Sequence, residues 1–194
     1  MGKQKADYLL RSDHIFTSTV ENPFAGYVAV SGQNILAVGT DDGSDWIDEQ
    51  TEVLELGDQL VTPGFIDVHT HGGCGVDVND AMKDDFEKIG RFFALQGTTS
   101  WLCSILTDTK EQTAKCIHEA LKHQKDHANC ANLLGIHLEG PFLSVEFKGA
   151  MPEELLRKAD MELLKEYQEE AEGNIRYITV SPEVEGIPEA VPEM

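Results

Sequence analysis

Three patterns in the sequence predict an α/β protein with its chemistry at one end of a parallel sheet. Before residue 62 the chain is a series of short strands. After it, apolar strands alternate with helical segments, the pattern of βαβ units and a parallel sheet. The first of those strands ends Asp67-Val68-His69-Thr70-His71-Gly72-Gly73, two histidines at the tip where α/β barrels carry their active sites. The expected architecture is a small β-sandwich segment over residues 1–61, followed over 62–194 by about the first four strands of a (β/α)8 barrel of the TIM type.

The N-terminal segment is assembled from Tyr8-Leu9-Leu10, His14-Ile15-Phe16, Tyr27-Val28-Ala29-Val30, Ile35-Leu36-Ala37-Val38 and Val53-Leu54-Glu55-Leu56. Ser31-Gly32-Gln33-Asn34 reads as a hairpin turn between two of them. Beyond Pro63, Phe65–His69 is a buried strand. Met82–Leu95 places Phe86, Ile89 and Phe93 at helical spacing. Thr98–Leu106 is a strand rich in Thr, Trp and Ile. Thr109–His127 is a helix with Ala114, Ile117 and Leu121 on one side. Leu133–Leu138 is a strand, Pro152–Glu172 a helix and Ile175–Val180 a strand.

Four such strands make half of a barrel that needs eight, which leaves two unpaired edges. Either the natural chain is longer or the sheet is open and doubly wound; a truncated barrel is favoured.

Composition narrows the function. The chain has 194 residues, 41% hydrophobic and 26% charged, with a formal net charge of −20. That balance argues against nucleic acid and against anionic membrane surfaces as partners. It also opposes an anionic substrate, unless a metal or local cations reverse the field in the pocket. No apolar run approaches the ~20 residues that span a bilayer, and the N-terminus lacks an apolar leader, so a cytoplasmic location is expected. The four cysteines, Cys74, Cys103, Cys116 and Cys130, show no Cys-x-x-Cys spacing and read as reduced thiols.

Two constellations carry chemistry. In a strand, residues i and i+2 share a face, so His69 and His71 can offer two imidazoles to one ion, neutral and oriented by further hydrogen bonds. Gly135-Ile136-His137-Leu138-Glu139-Gly140-Pro141-Phe142 is a second apolar strand ending in a carboxylate. Glu139 there can ligate a divalent cation, act as a base or cap the next helix. His137 sits deeper and reads equally as a ligand, as an orienting residue or as core. Together these make a metal-dependent hydrolase the leading reading. The bland readings prevail elsewhere. His118, His123 and His127 belong to a solvated helix face, although His123 and His127 are four apart. Trp46 and Trp101 are packing aromatics, Cys74 a small residue in a tight loop, and Glu166–Glu172 an exposed acidic face.

The segments Pro-Gly-Phe-Ile-Asp-Val-His-Thr-His-Gly and Gly-Ile-His-Leu-Glu-Gly-Pro-Phe resemble the amidohydrolase superfamily and, within it, the N-acetylglucosamine-6-phosphate deacetylases. His-Leu-Glu-Gly-Pro discriminates, because many relatives bridge metals with a modified lysine where this family uses the glutamate. Lys148-Gly149-Ala150 and Thr179-Val180-Ser181-Pro182-Glu183 also resemble family segments. The resemblance implies a barrel hydrolase that releases acetate from an amino-sugar phosphate. It implies a divalent metal, with zinc preferred and iron, manganese or cobalt compatible, at one or two ions per complete site. Glu139 matches the family's metal-ligating glutamate. His69 and His71 match a pair that holds a second metal in some members. Ala150 and Met151 match a segment that touches the sugar phosphate. Met151 is a departure, since many members carry a polar residue there and Met cannot donate a hydrogen bond.

The family's remaining two ligand histidines, its catalytic aspartate and its phosphate-binding arginine fall beyond these residues. The resemblance therefore implies the N-terminal part of a longer enzyme, inactive in isolation and a homodimer when complete. Two other readings remain: a different amidohydrolase with another amide substrate, and a non-catalytic half-barrel that needs a partner.

Overall fold

The computed structural model describes residues 4–126 and 129–194; His127 lies outside them. The chain divides into two compact units, Met1–Pro63 and Gly64–Met194.

The first unit is one five-stranded sheet. Its strands are β1 (Tyr8–Ile15), β2 (Phe24–Ser31), β3 (Asn34–Gly39), β4 (Glu52–Glu55) and β5 (Leu60–Val61), in the order β3-β2-β1-β4 with β5 also beside β1. The β1–β2 and β2–β3 pairs are antiparallel, while β4 and β5 run parallel to β1. His14-Ile15 does not form a strand of its own. It continues β1 past an irregularity after Ser12, whose hydroxyl accepts the His14 N–H at 2.9 Å and donates to the Gln59 carbonyl. Alternation puts Leu9, Tyr27 and Ala29 on one face, with Leu36, Trp46, Ile47 and Val53 packed against them. Trp46 Nε1–H donates to the Tyr27 hydroxyl at 2.9 Å. Among the described residues this unit holds one sheet layer, and Trp46 of a 3-10 turn at Ser44–Trp46 packs against its apolar face.

The second unit is a four-stranded parallel sheet in the order β6-β9-β10-β11. These strands are β6 (Phe65–Thr70), β9 (Thr98–Leu106), β10 (Asn132–Glu139) and β11 (Ile175–Thr179); a short hairpin, β7 (Gly72–Gly73) and β8 (Val76–Asp77), follows β6. Helices α1 (Lys83–Leu95), α2 (Lys110–Lys125) and α3 (Met161–Glu170) connect the strands, and a short α4 (Ile187–Ala190) follows β11. Sequential strands pairing in parallel with a helix between each pair is the βαβ pattern expected from the sequence.

The core lies between this sheet and its helices. Trp101, Cys103 and Ile105 alternate along β9 onto the same side as Ile136 and Leu138 of β10. They meet Phe86, Ile89 and Phe93 of α1, at i, i+3 and i+7, with Cys116, Ile117 and Ala120 of α2 and Leu163 and Tyr167 of α3. Trp101 is fully buried, with Phe93 edge-on at 5.3 Å, as expected of a packing aromatic. His123 departs from expectation: it is fully buried and stacked on Phe86 at 6.0 Å. It continues the buried row Cys116, Ala120, His123 at i, i+4, i+7, and that spacing outweighs the lysines nearby.

The helix expected at Pro152–Glu172 begins only at Met161. Before it, the Arg157 N–H donates to the Pro141 carbonyl and the Ala159 N–H to the Glu185 carbonyl. Backbone groups committed to distant partners cannot form i→i−4 bonds. Asp160 then caps α3, its carboxylate accepting the Leu163 N–H at 3.0 Å. No helix among the described residues is long and apolar enough to cross a membrane.

Candidate metal centre

The C-terminal tips of β6 and β10 bring together three of the residues singled out in the sequence. His69 Nε2, His71 Nε2 and Glu139 Oε2 all lie within 4.8 Å of one another. His71 Nε2 is 2.7 Å and His69 Nε2 3.2 Å from Glu139 Oε2, and the two imidazole nitrogens are 3.1 Å apart. β9 separates β6 from β10 in the sheet, so the cluster forms across a whole strand rather than between direct neighbours.

Local structure explains the convergence. The Asp67 carboxylate accepts the His69 N–H at 3.0 Å. The chain then turns at once into the β7–β8 hairpin, where the Val78 N–H donates to the His71 carbonyl at 2.9 Å. Gly72 makes that turn possible: its φ is 133°, and a Cβ there would lie 2.1 Å from the Val76 carbonyl oxygen. On β10, the Thr107 hydroxyl donates to the Glu139 carbonyl at 2.8 Å. The next residue, Gly140, has φ 87°, and a Cβ on it would stand 2.2 Å from Thr107 Oγ1.

Hydrogen bonding sets what the donors can do. His71 Nδ1–H donates to the Ser104 carbonyl at 3.1 Å. In the neutral ring this leaves the Nε2 lone pair facing Glu139, the arrangement a metal requires. Glu139 is the acid of the set, with 23% of its side chain exposed. Two imidazoles and one carboxylate are donors that suit zinc, iron, manganese or cobalt. These residues therefore fit a divalent ion.

His137 stands beside the cluster but outside it. It is fully buried, with its ring 4.6 Å from that of His69 and 4.5 Å from that of Tyr177. Ser104 Oγ lies 2.8 Å from its Nδ1 and Thr179 Oγ1 2.9 Å from its Nε2. Burial pushes its pKa down to about 4, helped by the neighbouring His69, so the ring is neutral near pH 7.

Ala150 and Met151 are not joined to the cluster by hydrogen bonds. They sit in the loop after β10, Ala150 exposed and Met151 buried. Lys148 brackets them: its Nζ donates to the Met151 carbonyl at 2.7 Å, and its own carbonyl accepts the Met151 N–H at 3.2 Å. Sequence reasoning missed Ser104, Thr107 and Asn79, and it named Thr179 only within a family-like segment, with no role. Asn79 clamps the end of β9: its Oδ1 accepts the Leu106 N–H at 2.8 Å, and its Nδ2 donates to the Leu106 carbonyl at 3.2 Å and to Asp108 at 3.1 Å. The available signal was a hydroxyl or amide inside or beside an otherwise apolar strand.

Comparison with known proteins agrees with this geometry. The amidohydrolase family model matches residues 60–186. The N-acetylglucosamine-6-phosphate deacetylase of Bacillus subtilis is 34% identical over 92% of this chain and 45% of its own length. The N-acetylgalactosamine-6-phosphate deacetylase of Escherichia coli O157:H7 is 34% identical over 72% of this chain and 37% of its own. A mutant of the Mycobacterium smegmatis N-acetyl-D-glucosamine-6-phosphate deacetylase, solved with N-acetyl-D-glucosamine-6-phosphate, superposes with a TM-score of 0.80. It is 29% identical, over 95% of this chain and 46% of that one. The chain thus spans less than half the length of these relatives. With the family model covering most of the sheet-and-helix unit and both histidine-bearing and glutamate-bearing strands, the chain belongs to the amidohydrolase family.

Proposed function

We propose that the protein to which these 194 residues belong is a metal-dependent deacetylase of N-acetylglucosamine 6-phosphate, yielding acetate and glucosamine 6-phosphate. The observation that carries this is the convergence of His69, His71 and Glu139 at the strand tips of a parallel sheet. The named activities of the relatives support the substrate class. The four strands are then the first half of a (β/α)8 barrel, consistent with the superposition on the Mycobacterium smegmatis enzyme. A phosphorylated sugar does not cross a bilayer unaided, which fits a cytoplasmic setting.

The residues present divide the work as follows. His69, His71 and Glu139 would hold the ion, with the Ser104 carbonyl fixing the ring of His71. What a bound divalent ion supplies is Lewis acidity, which polarises an amide carbonyl and acidifies water. Glu139, committed as a ligand, is not free to carry the proton from water to the leaving amine. That task needs a second carboxylate, and the family resemblance places it, an aspartate, outside these residues. Ala150 and Met151 are the proposed contacts to the sugar phosphate. With Met151 buried, Ala150 is the one of the pair that faces outward.

The Escherichia coli relative, named for the galactosamine epimer, keeps a second substrate in play at equal identity. Acetate release separates the readings. The natural protein should release acetate from at least one of the two sugar phosphates and stop when chelated, while the 194-residue chain alone releases none. A natural protein inactive on both sugars would overturn the assignment.

A further inference from the structure

We infer that Ser104 is the positioning residue of the metal centre: its carbonyl holds the ring of His71, its hydroxyl holds the backbone of Thr70 between the two ligand histidines, and the same hydroxyl locks His137 as a non-ligand. The inference rests on the proposed reading of His69, His71 and Glu139 as a metal site.

Ser104 is fully buried on β9, directly opposite His137 in the β9–β10 register. It faces away from Trp101, Cys103 and Ile105, which fill the core, so packing does not account for it. Its carbonyl accepts Nδ1–H of His71 at 3.1 Å. Its hydroxyl oxygen accepts the N–H of Thr70 at 3.0 Å, and Thr70 lies between the two ligand histidines. One residue therefore fixes both the backbone between the ligands and the ring of one of them.

The direction of the remaining bonds follows from donor counting. A buried hydroxyl must donate as well as accept. Of the hydroxyl's two partners, the backbone N–H of Thr70 can only donate, so the Ser104 hydroxyl proton goes to His137 Nδ1, 2.8 Å away. His137 then carries its proton on Nε2 and donates it to Thr179 Oγ1 at 2.9 Å. Both ring nitrogens are used. His137 has no lone pair for a metal, although its ring packs against that of His69. The hydrogen bonds form one chain with a single direction, Thr70 N–H to Ser104 to His137 to Thr179, crossing all four strands of the sheet.

Ser104→Ala keeps the carbonyl but strips the hydroxyl, leaving the part-buried Thr70 N–H and the buried His137 Nδ1 without this partner. Loss of an orienting partner typically weakens a metal site by about 10–100-fold. Ser104→Thr keeps the hydroxyl. Two measurements on the whole protein to which these residues belong test this. The first is zinc affinity by competition with a chromophoric chelator in wild type, S104A and S104T, with the cobalt(II) absorption spectrum of each. The second is the histidine ring tautomers of the metal-free wild type by long-range nitrogen–proton NMR, which does not depend on any variant folding. The expected results are a drop of about 10–100-fold in S104A with an altered cobalt spectrum, recovery in S104T, and His137 protonated on Nε2. A folded S104A with wild-type affinity and spectrum would overturn the inference, as would His137 protonated on Nδ1 in the wild type. If wild type bound no zinc at all, the metal reading would fall, while the tautomer would still decide the hydrogen-bond chain.

Discussion

Replacing Asn79 should cost far more than its place in a loop suggests. Its side chain makes three hydrogen bonds: it accepts the Leu106 N–H, and it donates to the Leu106 carbonyl and to Asp108 Oδ2. These pin the tip of β9, immediately before Thr107, which holds the Glu139 carbonyl. Part-buried bonds of this kind contribute about 0.5–1.5 kcal/mol each, so Asn79→Ala should lose about 2–3 kcal/mol. Asn79→Asp is the sharper perturbation, because shape is kept. It retains the acceptor for Leu106 N–H, loses both donors and sets a carboxylate against Asp108. Two lost bonds at about 1 kcal/mol each, plus repulsion of about 1 kcal/mol between part-exposed charges, give about 3 kcal/mol. Urea unfolding followed by circular dichroism is the assay; with an m-value of about 2 kcal/mol/M the midpoint should fall by about 1–1.5 M. Added salt should return part of the Asp variant's loss and none of the Ala variant's. If both variants unfold within about 0.5 kcal/mol of wild type, a range usual for surface substitutions, the clamp on β9 is not real.

Two further perturbations probe the frame of the site. Glu119 of α2 accepts the Lys83 N–H at the start of α1 at 3.0 Å and pairs with Lys122, so Glu119→Ala should cost about 1 kcal/mol, as for a lost helix cap. Its carboxyl is held below the usual carboxylate range, chiefly by Lys122. The contribution is therefore full above the unfolded pKa of about 4.3 and is lost as pH falls through the lower folded value; the gap between wild type and variant in urea should close on acidification. Gly140→Ala places a Cβ 2.2 Å from Thr107 Oγ1 at a φ of 87°, which should cost at least about 1–3 kcal/mol and displace Glu139. Thermal melts with and without zinc should show a lower melting point and a smaller rise on zinc addition, and an unchanged rise would refute the link to Glu139.

The alternation of strands and helices after Pro63 was legible because its signals are local. Phe86, Ile89 and Phe93 declare a helix, and Thr98–Leu106 declares a strand, within one window of sequence. The histidine pair and the carboxylate that the fold brings together were legible for a related reason: His69 and His71 share a strand face by spacing, and Glu139 ends an apolar run. What was not legible depends on partners far along the chain. Ser104 looks like one more strand residue until His137, 33 residues on, and Thr70, 34 residues back, are placed beside it. Asn79 gives no hint of Leu106, and the delayed start of α3 is dictated by Pro141 and Glu185. His123 was misjudged because the charges Lys115, Lys122, Lys125 and Asp126 masked a buried row that the helical period alone identifies.

Zinc binding by the 194-residue chain tests the central claim most directly. Purified, metal-stripped chain should be titrated with zinc and with cobalt(II), alongside His71→Ala and Glu139→Gln. The account predicts saturable binding by the wild type at the His69, His71 and Glu139 cluster, with a cobalt spectrum of mixed nitrogen and oxygen ligation. Each variant should lose that binding while keeping the wild-type circular dichroism spectrum. A wild type that binds neither ion, or folded variants that bind as well as wild type, would contradict it.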